Sequence, residues 1–389
     1  MPKVLHLRTV TGHGGGPEKT LLNSQRFIGP DYELQLAYIR PRDDAEFDLP
    51  QRAAAAGVQL ADIPERGPAD PRTLWRLSKL IRSWRPDILH AHDYKTNALA
   101  AVLGKWHGVK SMTTLHGYVS LSTKLNLYYR IDRWAVRRLD HVVVVSDDLY
   151  RNIGQWGVPQ SRCSLVENAI DVDGCTRTLP REEAKRKLGI DPSRLVIGAV
   201  GRLAEEKGYM HLIAAVQRLL AEGAKIDLVI AGEGPHRGQL ESQIAQLQCG
   251  QHVHLLGHQS GVGAIYQAMD VFALSSLREA FPNVVLEAQA YEVPVVATKI
   301  AAVPRMIEDE ENGLLVDADQ TDPLHAALAR LVADEVLRNR LAAAGRKTVE
   351  EKFSFQVRMD KIRAIYDLLL DRNSTPAPEA EVLCSTAAT

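Results

Sequence analysis

Glu279 and Glu287 stand eight residues apart in Arg278-Glu-Ala-Phe-Pro-Asn-Val-Val-Leu-Glu287, directly after the apolar run 271–275. Val271–Leu274 patterns as a strand, Pro282 suits the first turn of a helix, and Asn283 to Tyr291 patterns as that helix. Glu279 therefore falls in a strand-to-helix loop and Glu287 on the helix itself. A helix N-terminus carries unpaired N–H groups and partial positive charge, a setting that suits phosphate, so the turn Phe281-Pro282-Asn283-Val284 is the phosphate-facing part. A carboxylate just before that turn and another within the helix suit a ligand that also carries hydroxyls. Phosphate together with several hydroxyls describes a sugar nucleotide.

Two further elements offer matching chemistry. The run 195–200 is a buried-strand signature that exits through Gly201-Arg202-Leu-Ala-Glu-Glu-Lys207-Gly208. Glycine permits a tight exit, and the guanidinium fork of Arg202 and the ammonium of Lys207 lie at a strand's C-terminal end, where α/β folds bind ligands. With the helix N-terminus at Pro282 they could clamp a diphosphate from two sides. The second element is Gly12-His-Gly-Gly15-Gly16-Pro17-Glu18, which follows the strand-like run 4–8. A dinucleotide fingerprint would need glycine at position 17, so these glycines read either as a flexible turn or as a place where backbone approaches a ligand closely.

These residues require strands to present them. Short Val/Ile/Leu-rich runs recur near 4–8, 34–39, 87–91, 111–115, 141–146 and 163–167, then near 195–200, 226–231, 253–256, 271–274, 294–297 and 313–316. Helical periodicity intervenes, as in Leu74, Leu77, Ile81 and Trp84. Strands alternating with helices and filled with continuous apolar runs indicate parallel sheets covered on both faces. The expected class is α/β, with two Rossmann-like, doubly wound parallel-sheet domains facing each other across a cleft. The first is assigned to 1–175 and the second to 193–354. A polar linker is assigned to 176–192, a final amphipathic helix over 355–372 returns to the first domain, and a Pro/Ala/Ser/Thr-rich tail at 373–389 is expected to be disordered.

Composition narrows the function classes. The 389 residues are 45% apolar and carry a net charge of −1, which gives no global field for nucleic acid. The cysteines at 163, 175, 249 and 384 form no CxxC, as expected in a reducing compartment. His6 and Arg8 interrupt the N-terminal apolar run, and no run approaches the ~18 residues of a membrane span, so a cytoplasmic location is expected. His90-Ala-His92-Asp93 sets alternate histidines on one strand face but lacks a fourth metal ligand, and reads as a turn lining the cleft. His252-x-His254 is no better a metal site. Asp171-Val-Asp173 and Asp317-Ala-Asp319 read as turn aspartates. Over 121–139, Leu121, Leu125, Tyr128, Ile131, Ala135 and Leu139 share one helical face and Arg130, Arg133 and Arg137 another. That helix either packs into its own domain or rests on an anionic membrane.

As an ordered set, Gly14–Glu18, Asp87–Asp93, Thr114–Gly117, Val142–Ser146, Asn168–Asp171, Gly201–Gly208, Glu279–Glu287 and 312–315 resemble the GT4 family of retaining nucleotide-sugar glycosyltransferases, of GT-B fold. The likeness runs from about residue 3 to about 370. It implies that Glu279 contacts the donor sugar, Glu287 contacts the ribose, and Arg202 and Lys207 neutralise the diphosphate. It also implies that His116 sits against the sugar near the anomeric carbon, and that Gly15 and Gly16 lie close to the phosphates and acceptor. The implied catalytic set is His116, Glu279, Arg202 and Lys207. The implied activity is transfer of a sugar from a nucleoside diphosphate to a glycan or lipid-linked acceptor, in polysaccharide or glycolipid biosynthesis, with no cofactor and no essential metal. A lipid-linked acceptor would bring helix 121–139 to the membrane. Two competing readings are a non-hydrolysing sugar-nucleotide epimerase and a catalytically silent sugar-nucleotide-binding protein. Three departures from the family pattern stand out: Ala169 in Asn-Gly-Ile-Asp, Ala301-Ala302-Val303-Pro304-Arg305 in place of Gly-Gly-x-Pro-Glu, and Pro282 in place of glycine, which removes one N–H from the phosphate-facing turn.

Overall fold

The computed structural model describes residues 1–12, 16–44, 47–115, 123–259, 261–279 and 281–372. The chain divides into two compact units, one of residues 1–167 with the returning C-terminal segment from Gln356, the other Asn168–Phe355. In the first unit, β1 (Lys3–Thr9), β2 (Glu33–Pro41), β3 (Gln59–Glu65), β4 (Ile88–Ala91), β5 (Lys110–Leu115), β6 (His141–Val144) and β7 (Cys163–Leu165) form one sheet in the order β3-β2-β1-β4-β5-β6-β7. In the second unit, β8 (Leu195–Val200), β9 (Ile226–Ala231), β10 (Val253–Gly257), β11 (Val271–Leu274), β12 (Val295–Thr298) and β13 (Leu314–Val316) run β10-β9-β8-β11-β12-β13. Every ladder between these strands is parallel.

The apolar runs form these strands because both sheet faces are covered. Along β8, Ile197 and Ala199 pack into one buried cluster with Leu228 and Ile230, while Val196 packs into another with Val229, Phe272 and Val295. β3 is the strand that the apolar pattern passes over. Its sequence, Gln-Leu-Ala-Asp-Ile-Pro-Glu, carries polar residues and Pro64, and it forms the edge of its sheet, where proline and exposed polar side chains are tolerated.

The stretch 176–192, set apart above as a linker, carries the helix Arg181–Lys187 and is held within the second unit. Thr178 and Leu179 donate their backbone N–H groups to Gln267 Oε1 at 2.8 and 2.9 Å. Lys185, buried, reaches Asp270 Oδ2 at 2.7 Å, and Arg181 lies 3.2 Å from Oδ1 of the same carboxylate. Asp270 also accepts from Val196 N at 2.8 Å, at the start of β8. The polar composition that suggests a connector is thus the composition of a buried ionic latch. The tail 373–389 lies outside the described residues, and among those described no helix is long and apolar enough to cross a membrane.

Removing one partner of a buried pair leaves the other charge uncompensated. Asp270→Ala is expected to destabilise the second unit by about 3–5 kcal/mol, read as a lowered midpoint in urea unfolding; a change below 1 kcal/mol would show that Lys185 is solvated.

Candidate active site

The strand order of the second unit reverses direction between β8 and β11, and crevices at such switch points, outside the carboxyl ends of the strands, are where open α/β sheets bind ligands. Both candidate loops leave from those two ends. The loop after β8 closes on Gly208, which adopts φ +61°, and a Cβ there would lie 2.1 Å from Ser275 O, in the loop after β11. Only glycine lets these backbones approach so closely. The contact is stitched by Ser275 Oγ donating to Lys207 O at 2.9 Å and by Leu277 N donating to Glu206 O at 2.8 Å.

This approach brings two of the sequence candidates together. Lys207 Nζ lies 2.6 Å from Glu279 Oε1, with both side chains mostly buried. Ser276 Oγ donates to the same oxygen at 2.8 Å, and Ser276 O accepts from Thr298 Oγ1 on β12 at 2.6 Å. Arg202 projects outward with 61% of its side chain exposed and pairs with Glu206. Glu287 is held separately: the buried Tyr266 hydroxyl donates to its Oε2 at 2.7 Å. Burial first, and then the charge of Glu287, pushes the Tyr266 phenol well above its ordinary range, so it stays a donor. The helix is Asn283–Ala290 with Pro282 at its N-cap in extended conformation. Phe281 is buried against Phe353 at 6.1 Å between ring centroids. Asn283 Oδ1 is shielded from solvent with no hydrogen-bond partner among the described residues, whereas Val284 is half-buried and packs against the core. The site thus offers a cationic loop, a helix N-terminus and two oriented carboxylates around one strand edge, a set suited to an anionic, hydroxylated ligand.

Three contributors escape a reading of the motifs alone. Tyr266 and Ser276, which orient the two glutamates, are ordinary residues in helical and loop patterns. The third, Gly232-Glu-Gly234-Pro after β9, does carry a signal. A Cβ on Gly232, at φ +151°, would lie 1.9 Å from Gly201 O, and one on Gly234 would lie 2.3 Å from Leu203 O. These glycines let the β9 loop press against the β8 loop.

In the first unit the switch point lies between β1 and β4. Thr9 N donates to Asp93 Oδ2 at 2.7 Å, while Asp93 Oδ1 caps the helix Tyr94–His107 by accepting from Lys95 N and Thr96 N. Asp93 is therefore the capping residue of a turn. Arg8 binds Glu18 at 2.9 Å and donates to His92 O at 2.7 Å. Gly16 opens the helix Gly16–Phe27, whereas Gly15 and His116 lie outside the described residues. His90 of β4 and His92 just after it are joined by His6 of β1, which the parallel register places beside His90. His252 pairs with Asp227 at 2.8 Å. Asp171 closes a local turn by accepting from Gly174 N.

The helix over 121–139 is described from Thr123, and its side chains from Tyr129. Its buried face holds Asp132, Ala135, Val136 and Leu139, with Asn97 donating to Asp132 at 2.7 Å. Ile131, expected on that face, is instead 43% exposed. Packing against the helix Tyr94–His107 rotates the inward stripe so that Asp132 takes the buried place.

Two Rossmann-like units, each with its ligand loops at a switch point, define the GT-B class of fold. Solved structures agree: Anabaena Alr3699/HepE in complex with UDP aligns over 94% of this chain and 100% of that chain, with TM-score 0.80 and 18% identity. The apo lipopolysaccharide outer core galactosyltransferase WaaB aligns over 95% and 100%, with TM-score 0.72 and 20% identity. The family model described as glycosyl transferases group 1 matches residues 180–348, and that described as glycosyltransferase family 4 matches 26–174. The lipopolysaccharide core biosynthesis glycosyltransferase LpsE of Rhizobium meliloti is 34% identical over 354 residues, spanning 90% of this chain and 95% of that protein. A UDP-Gal:alpha-D-GlcNAc-diphosphoundecaprenol alpha-1,3-galactosyltransferase of Escherichia coli is 26% identical over 314 residues, spanning 78% and 81%. The chain belongs to glycosyltransferase family 4, and it is a transferase acting on nucleotide sugars.

Lys207→Ala and Arg202→Ala are each expected to lower the transfer rate 30- to 1000-fold, the loss of about 2–4 kcal/mol of charge stabilisation, with melting temperature little changed. Near-normal turnover in both variants would remove the cationic loop from the chemistry.

Proposed function

We propose that the chain is a retaining, metal-independent transferase that moves a hexose from a nucleoside diphosphate to a lipid-linked or lipopolysaccharide-type glycan. The observation that carries this reading is the Lys207–Glu279 pair at the β8/β11 switch point. A diphosphate drawn to Lys207, Arg202 and the N-terminus at Pro282 would have its growing negative charge stabilised as the sugar departs. Glu279, already fixed by Ser276, would hold the sugar hydroxyls, and Glu287, fixed by Tyr266, the ribose. His116 would stand at the reacting face. A UDP-hexose is the first donor to try, because the E. coli relative uses UDP-Gal by its name.

Retention is supported by the way carboxylates at the β1–β4 loops are committed. An inverting reaction needs a base facing the acceptor hydroxyl, opposite the leaving group. Glu18 binds Arg8, Asp93 caps a helix, Glu65 pairs with Lys95, and Asp44 accepts from Gly12 N. In a same-face reaction the departing phosphate itself can receive the acceptor proton. Side-chain cations and a helix terminus supply the positive charge that a divalent ion would otherwise bring. Proton NMR of the product formed from an α-linked donor in the presence of a chelator should show an α-linkage at an undiminished rate. A β-linked product would refute retention, and activity restored only by a divalent ion would refute metal independence. Conversion of the donor without acceptor would instead favour an epimerase.

We further propose that the first unit meets an anionic membrane, through the outward side of the helix Thr123–Val136 and not its apolar stripe. Trp134 and Ile131 are exposed there, and Trp134, Trp106, Val102, Lys105, Lys110 and Arg138 line one surface depression. Arg138 sits 4.2 Å over the Trp134 ring. Indole rings at headgroup depth beside basic side chains suit anionic lipid. The protein should sediment with vesicles containing phosphatidylglycerol and not with pure phosphatidylcholine, and W106A/W134A should reduce that binding at least threefold. Equal sedimentation of wild type and double variant would overturn this placement.

A further inference from the structure

The histidine cluster of the first unit is not among the residues assigned to the proposed chemistry, and it lines a small cavity. His6 on β1, His90 on β4 and His92 just after β4 cluster with ring centroids 4.3–5.2 Å apart. The helix Phe355–Leu369 covers them, and Arg358 from that helix joins His6, Thr20, Ser24, His90 and His92 around a cavity of about 10 Å³. That is room for one water-sized or monatomic occupant.

Three His side chains within ligand reach of one another suggest a cation at first. The partners argue otherwise. His90 uses both ring nitrogens, Nδ1 with Tyr366 OH and Nε2 with Thr114 Oγ1, each at 2.8 Å. His6 Nδ1 and His92 Nε2 are bonded to each other at 2.9 Å. Above all, the guanidinium of Arg358 lines the same cavity, and its positive charge repels a metal ion. Arg358 is 5% exposed, and its Nε and Nη1 are buried with no hydrogen-bond partner among the described residues. His6 Nε2 is buried in the same condition. Glu167, the carboxylate whose charge Arg358 feels, is bound by Lys361 at 3.1 Å. Burial lowers the Arg358 guanidinium to about 10, which leaves it charged at neutral pH.

The geometry points to a buried halide site, in which a chloride ion accepts from Arg358 and from His6 Nε2–H and fastens the C-terminal helix to β1 and β4. An ion there selects the His6 tautomer protonated at Nε2, with His92 Nε2–H donating to His6 Nδ1. Burial lowers His6 to about 3, so that ring is neutral, and Arg358 faces the ion with its positive charge. One monovalent anion then balances one guanidinium, which a neutral water does not do.

The test needs no donor or acceptor and stands apart from the transferase reading. Melting of the full chain should be followed in sodium chloride and in sodium gluconate at equal ionic strength. Chloride and bromide are expected to raise Tm saturably, by about 2–4 °C, with no such rise in gluconate. Arg358→Met should abolish the halide dependence. Because that variant could also fail to fold, unmodified protein crystallised in bromide supplies a second measurement. An anomalous peak between Arg358 and His6 is expected, whereas melting that is identical in chloride and gluconate, or a peak-free cavity holding water, would overturn the site.

Discussion

The pairing of β8 with β11 is the constraint on which the site in the second unit depends. Lys207 and Glu279 are distant in sequence, and they meet because these two strands lie side by side in parallel with their carboxyl ends together. The loops that follow must then share a narrow space. Gly208 resolves that crowding, since a side chain there would collide with Ser275 O, and Gly232 does the same where the β9 loop meets Gly201 O. Across that loop boundary Lys207 meets Glu279, whose same oxygen also accepts from Ser276. The ion pair is thus a product of sheet topology before it is a feature of any motif.

That dependence explains what could be read from the sequence. Central strands such as β8 and β9 show as continuous Val/Ile/Leu runs because both of their faces are buried, and the loops at their ends inherit a position from the parallel rule. β3 does not show, because an edge strand carries less obligation to be apolar and can hold Pro64. The segment 176–192 misleads for a related reason. Two of its charges, Arg181 and Lys185, gather on the buried Asp270, and composition alone does not distinguish a solvated run from one that holds an ionic latch. Helix 121–139 misleads through its period: Asp132 takes an inward place because Asn97 awaits it, and Ile131 is turned out. Partners brought in by tertiary structure, such as Tyr266 for Glu287 and His6 for His90 and His92, leave no local trace.

The two units use the same topological position differently. At the β8/β11 switch Glu279 is held by Lys207 and Ser276 and Glu287 by Tyr266, with Arg202 reaching outward. At the β1/β4 switch the described carboxylates are consumed in structure, as Asp93 ties Thr9 to a helix cap and Glu18 holds Arg8. Both sheet edges pair their charges, and only in the second unit does one of the paired cations, Arg202, stand mostly exposed.

The departure at 301–305 illustrates how packing absorbs a local change in the backbone. Ala301 adopts φ +42°, a left-handed conformation in which the family pattern carries glycine and an alanine Cβ is strained by about 1–2 kcal/mol. The backbone nevertheless keeps that shape, because Ala302 and Val303 are buried and open the short helix Val303–Met306 over a core that includes Met306 and Ile307. Packing thus over-determines the turn, and the strain is borne by the fold. Arg305, exposed at the surface of that helix, places a guanidinium where the family pattern carries a carboxylate. The buried Ala302 and Val303 thus fix the backbone of this turn, and the change of charge falls on the exposed position 305.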